Sequence, residues 1–266
     1  MVDLRPYAAL AGGQFRSVLS YRASFLVELV TNIGGTALDV LAVAVIFHTG
    51  KIVAGFTLPE AVLIVSLASC GFVVADFTVG NIDRLKTYVR TGAMDAVLVR
   101  PLGAMAQLLL MDLPMRKLLR LALGVSVLAV ALGLNDIDWT PARVALLLIT
   151  PVAGAVFFGA IFVLSASLAF WWVDSGELGS AFTYGGRDFA SYPMPVYSGW
   201  FRAVFAYVLG FAFVAYQPAL ALLGRADPLG LPAWAGFISP LVALVAAGAA
   251  AVVWRAGIKH YRSTGS

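Results

Sequence analysis

Long apolar runs alternate with short polar breaks along this chain, and the alternation sets out its elements. The first run extends from about Ala23 to Phe47 and the second from about Glu60 to Val79. A polar, basic stretch follows, from Gly80 to Pro101. Ala104 to Arg120 has a helical pattern but carries Asp112, Arg116, Lys117 and Arg120. Those charges predict that the third apolar run begins only near its end, from about Leu118 to Leu134. Asn135–Pro141 is a polar turn, and the fourth run covers about Arg143 to Phe170. Asp174 to Tyr192 is mixed: Glu177, Arg187 and Asp188 interrupt it, while Leu178, Phe182 and Phe189 give a helix one apolar face. Pro193 and Pro195 then break the chain, because two prolines so close together cannot continue a helix. Trp200 to Leu223 is apolar but divided by Gly210 and Pro218. The last run extends from about Phe237 to Trp254, before the basic residues Arg255, Lys259 and Arg262.

Runs of this length are membrane spans, since about 20 apolar residues cross the hydrocarbon as a helix. Composition agrees. The chain has 266 residues, 61% hydrophobic and 12% charged, with a mean hydropathy of +0.91. A soluble domain carries roughly 25% charged residues. The prediction is therefore an all-α membrane protein. Residues 1–22 do not read as a signal peptide. Leu4, Tyr7, Ala11, Phe15, Val18 and Leu19 share one helical stripe, which predicts an interfacial helix before the first span.

Charge gives the orientation. If the N-terminus, Gly80–Arg120 and the C-terminus all lie inside, only Lys51, Arg143, Arg187, Arg202 and Arg225 of the 18 basic residues lie elsewhere. That asymmetry follows the positive-inside rule, and it requires an even number of crossings. Six fits. Either Asp174–Tyr192 is the fifth span and Trp200–Leu223 dips into the outer leaflet and returns, or Trp200–Leu223 is itself the fifth. The breaks at Gly210 and Pro218 favour the first arrangement.

The Gly80–Pro101 stretch is the main polar feature. Ile82, Leu85 and Val89 recur at steps of three and four and share one face of a short helix. Arg84, Lys86 and Arg90 lie off that face, and Gly92 is placed to stop the helix. A short amphipathic helix tied to two spans can lie on the membrane, or press into a groove on a cytosolic partner.

Catalytic chemistry is not apparent in the sequence. It has no phosphate-binding loop, no paired zinc-type histidines, no Cys pair and no nucleophile elbow. Cys70 is the single cysteine, and it sits in an apolar run. The basic balance, with a pI near 9.3, reports topology rather than nucleic-acid binding. The polar residues inside the spans are the candidates for function. Asn32 and Asp39 lie in the first run and Asp76 in the second. A charge at the centre of a spanning helix faces a partner or a water-filled path. Asp39 lies deepest, so it reads either as a pathway residue or as half of a structural pair.

The order of these parts resembles the ABC-2 type permeases, the membrane subunits of ABC exporters, and in particular a little-characterised bacterial subfamily. YRASFLVE at Tyr21–Glu28 looks like its start of span one. TGAMDAVLVRPLG at Thr91–Gly103 looks like its G-x-[LM]-D-x-x-L-x-R-P pattern. Tyr192–Arg225 looks like its proline-bounded outer-leaflet segment. The resemblance covers essentially the whole chain, as one transmembrane domain over 1–266 with a coupling loop at 80–103 and an outer segment at 192–225.

It implies a permease in the bacterial cytoplasmic membrane, with both termini inside. Two ABC ATPase subunits would dock beneath it and hold ATP and Mg, while this chain would bind no cofactor and no metal. A second permease chain, identical or a sister, would complete the pathway among membrane lipids. Ile82, Arg84, Leu85, Lys86, Val89 and Arg90 would form the ATPase-docking helix, and Asn32, Asp39 and Asp76 would line the pathway. The expected cargo is a hydrophobic or amphipathic compound such as a drug, antibiotic or lipid. Glycan export, or a membrane scaffold or immunity protein without transport, are the alternatives.

Overall fold

The first long helix of the bundle begins where its sequence caps it. Glu60 lies three residues after Thr57 and accepts a hydrogen bond from the Thr57 backbone N–H at 2.7 Å, which closes a capping box. This moves the start of the second apolar run from Glu60 to Leu58. The computed structural model describes residues 27, 30–35, 37, 38, 41, 44, 45, 54–100, 103–110 and 117–261. The described residues between 27 and 45 are helical. The interfacial helix expected over 1–22 lies outside the described residues, as does Asp39.

The helices that follow are α1 (Leu58–Thr78), α2 (Leu85–Arg90), α3 (Ala93–Leu98), α4 (Ala104–Leu110), α5 (Lys117–Leu134) and α6 (Pro141–Ser167). After them come α7 (Gly176–Ala190), α8 (Gly199–Arg202), α9 (Tyr216–Leu223) and α10 (Ser239–His260). Among the described residues, α1, α5, α6 with its continuation to Phe170, and α10 are long and apolar enough to cross a membrane. A bent pair, Gly199–Val208 with Phe211–Leu223, is a fifth candidate, either a broken span or a re-entrant loop. The regular structure of the described residues is helical, and the chain is a multi-pass membrane protein.

Contacts order these helices between two ends of the bundle. The basic end carries Arg84, Lys86 and Arg90. Lys117, the first residue of α5, meets Asp76 there. At the other end of α5, Asn135 donates to the Pro59 carbonyl at 2.9 Å, beside the start of α1. α6 returns to the basic end, where Phe170 packs edge-on against Trp254 of α10 at 5.4 Å. α1 and α6 cross at two glycines. A side chain on Gly71 would place its first carbon 2.9 Å from the Gly154 Cα, so the absence of side chains lets these backbones approach.

α7 has 15 residues and extends about 22 Å, less than a helix needs to cross alone. It starts beside Lys86 at the basic end. Tyr192, just past its end, packs on Ala61 and Val65 near the opposite end of α1.

The following segment enters and leaves the bundle at that same far end. Tyr197 stacks on Phe189 at 4.2 Å on the way in, and Arg225 pairs with Glu60 at 2.6 Å on the way out. Between them Gly210 adopts φ +89°, a left-handed conformation that suits glycine, and the helices on either side are bent by 59°. The break places Phe211 edge-on against Phe157 of α6 at 5.1 Å. The break expected at Gly210 is present, but the one expected at Pro218 is not: Pro218 sits in the first turn of α9, where its missing N–H has no helical partner to lose.

Candidate functional site

The functional parts are built at and above the basic end. The chain leaves α1 through a tight 3-10 turn, Gly80–Arg84, that leads straight into α2. Gly80 is required by packing: a side chain there would strike the Asp76 carboxylate and the Lys117 ammonium. Gly92 ends the element with φ +70°, and the chain restarts as α3.

Which face of this element points outward differs from the sequence expectation. Ile82 and Leu85 are 0% exposed and Val89 is 3% exposed. They belong to the core shared with α6, so the face expected to dock is turned into the chain's own bundle in this structure. The amphipathic pattern records how the element is anchored in its own bundle, because a single sequence does not distinguish an apolar face turned inward from one turned to a partner.

The outward groups are Arg84, Lys86, Thr87 and Arg90, all exposed. Lys86 lies over Gly176, where a side chain would come within 2.7 Å of its Cδ and Nζ. Arg90 Nη2 donates to Asp174 Oδ1 at 2.9 Å, but both side chains are about 70% exposed, so the pair adds little stability. Lys86, Thr87, Arg90, Asp174, Gly176 and Glu177 border a surface groove of about 260 Å³. A rigid stub, tied to α1 and rooted in the core, thus presents cations to the solvent.

Directly above it lies a cavity of about 370 Å³, between α1, α5, α7 and residues 31–35. Two of the three residues expected along a pathway, Asn32 and Asp76, come together in its wall. Asp76 is more enclosed than its position near the end of a span suggests, with its side chain 7% exposed. Lys117 Nζ donates to Asp76 Oδ1 at 2.6 Å and to the Asp76 carbonyl at 2.9 Å. Arg120 Nε donates to Asn32 Oδ1 at 2.5 Å, and Arg120 Nη1 lies 3.8 Å from Asp76 Oδ2. Cations and donors thus surround the buried Asp76 carboxylate.

Tyr184 and Arg187 of α7 complete the wall. The Arg187 guanidinium sits 5.7 Å from the centre of the Phe72 ring, close enough for a cation–π contact. At the base of the cluster, burial first and the neighbouring Asp76 charge second push the Asp83 carboxyl up to about 6. Sequence reasoning did not place Arg120, Tyr184 or Arg187 at a site. Arg120 carried the only signal, since it follows Lys117 by three residues at the head of an apolar run and so shares its face.

This arrangement has no catalytic constellation. No group of acids, His and Cys among the described residues could hold a metal ion. Compared with known proteins, the chain matches the family described as "ABC-2 family transporter protein" over residues 33–265. No curated protein and no solved structure matches it. A bundle of apolar helices, a polar cavity inside it and this match over most of the chain lead to one conclusion: the protein belongs to the ABC-2 transporter family, as a membrane permease subunit that works with ABC ATPase subunits and is not itself an ATPase.

Proposed function

We propose that the chain is the permease half of an exporter that moves a hydrophobic or amphipathic compound out of a bacterial cell. The observation that carries this reading is the stub Gly80–Arg90. Its apolar side is fixed in the bundle while its cations face outward, so a push on the exposed side moves α1 as a unit. In this reading two ATPase subunits, holding ATP and Mg, meet Arg84, Lys86 and Arg90. Ile82, Leu85 and Val89 transmit the displacement instead of binding the partner. A second permease chain, identical or a sister, completes the pathway. Asn32, Asp39 and Asp76 line it. If no ABC ATPase co-purifies with the full chain from its native membrane, the reading is wrong.

The same reading gives six crossings, with both termini and the basic end in the cytoplasm. α7 is the fifth. It is short and polar, but its contacts run from Lys86 to the far end of α1, and a polar helix is tolerated where protein surrounds it. The 199–223 segment is then a re-entrant hairpin in the outer leaflet; such broken backbone at membrane depth survives where protein buries it. Cysteines placed at Asp136 or Asp138 are expected to react with an impermeant maleimide added to whole cells, and cysteines at Lys86 or Lys259 are not. External labelling at Lys86 overturns the topology.

A further inference from the structure

We propose that the cavity above the stub binds an amphipathic anion, its acidic head between Arg120 and Arg187 and its apolar body along Val65, Phe72 and Val127. This deepens the export reading and rests on it. The charged residues of the wall stand apart from its far end, where Val65 and Val127 lie with Ser66. Asp76 and Arg120 lie toward the basic end and Arg187 farther along, beside Phe72, while Val65 lies some three turns of α1 from Asp76, about 16 Å. A volume of about 370 Å³ is at the small end of ligand pockets and suits a head group with a single alkyl or ring body.

Charge selects the head. Arg120 and Arg187 reach the cavity from different helices, α5 and α7. The described wall contains one carboxylate, Asp76, which Lys117 holds at 2.6 Å and Arg120 approaches at 3.8 Å, so the cations outnumber it. Asp188 lies 3.6 Å from Arg187 but is itself 69% exposed, where water screens it. A cationic head would sit among Lys117, Arg120 and Arg187. A phosphate, sulfonate or carboxylate would accept hydrogen bonds from guanidinium groups suited in shape to such oxygens. Tyr184, also in the wall, adds a hydroxyl.

The test uses the full chain in nanodiscs of neutral phosphatidylcholine, titrated with dodecyl phosphate and with dodecyltrimethylammonium. The phosphate is expected to bind at least about tenfold more tightly than the equally long cation. Arg187→Gln is expected to remove most of that preference. Should this variant fold poorly, the preference of the native chain still decides. Equal binding, or preference for the cation, overturns the proposal. The head can belong to exported cargo or to a membrane lipid. Cargo leaves proteoliposomes only with ATP and the ATPase present. An anionic lipid such as phosphatidylglycerol instead displaces dodecyl phosphate without being moved. Either result upholds the site. If dodecyl phosphate does not bind but the ATPase co-purifies, this inference falls alone. If dodecyl phosphate binds and no ATPase co-purifies, the site stands and the export reading falls.

Discussion

Leu85→Asp is expected to prevent the chain from forming a stable bundle, rather than only loosening a partner. Leu85 is 0% exposed, and its neighbours Ile82 and Val89 are buried with it against α6. An aspartate there puts an unpaired charge into the core, and an uncompensated buried charge costs roughly 3–5 kcal/mol. That is a large part of a typical stability margin of about 5–15 kcal/mol. The measurement is yield, monodispersity and thermal unfolding of the purified variant in detergent. Thr87→Ala, made beside it on the exposed side, is expected to unfold as the native chain does, because surface changes usually stay within about 0.5 kcal/mol. A Leu85→Asp variant with unchanged yield and unfolding temperature contradicts the burial of this face.

Gly71→Leu is expected to be almost as damaging, by a different route. The first added carbon would sit 2.9 Å from the Gly154 Cα and 3.0 Å from its carbonyl carbon. Those are backbone atoms of a long helix and cannot step aside as a flexible side chain can. α1 and α6 would have to separate along their whole crossing, which also contains the Phe72–Phe158 edge contact at 5.2 Å. Overpacking typically costs about 1–3 kcal/mol, and a separation of two central helices belongs at or above the top of that range. Gly133→Leu is the control, since nothing lies within 4 Å of a first carbon there. Equal thermal stability of the two variants would show that the crossing is not close-packed.

Much of this was legible in the apolar pattern. The third and fourth runs, read as about Leu118–Leu134 and Arg143–Phe170, appear as α5 and as α6 with its continuation to Phe170. Gly92 and Gly210 were readable as breaks because their backbone demands are local, and each has a positive φ. The direction of the Ile82–Leu85–Val89 face was not readable, since periodicity gives a stripe and not its neighbour. The α1–α6 crossing was also hidden. Gly71 and Gly154 lie 83 positions apart, and only the folded bundle brings them together. Of the site, Asn32 and Asp76 were visible as polar residues in apolar runs. Arg187 was hidden because α7 is too short and polar to be read plainly as a span, and its partner in the wall, Phe72, lies on another helix.

The cations of the stub are the proposed contact with the ATPase. Arg84→Glu, Lys86→Glu and Arg90→Glu, combined in one chain, leave the buried anchors untouched and reverse only the exposed charges. The decisive measurement is the amount of ABC ATPase that co-purifies with this variant in detergent, beside the native chain at the same low salt. Like charges brought together across an interface cost several kcal/mol, so the ATPase recovered is expected to fall by at least about tenfold while the permease stays folded and inserted. Retention of ATPase at the native level by a folded triple variant would contradict the claim that this stub is where the ATPase docks.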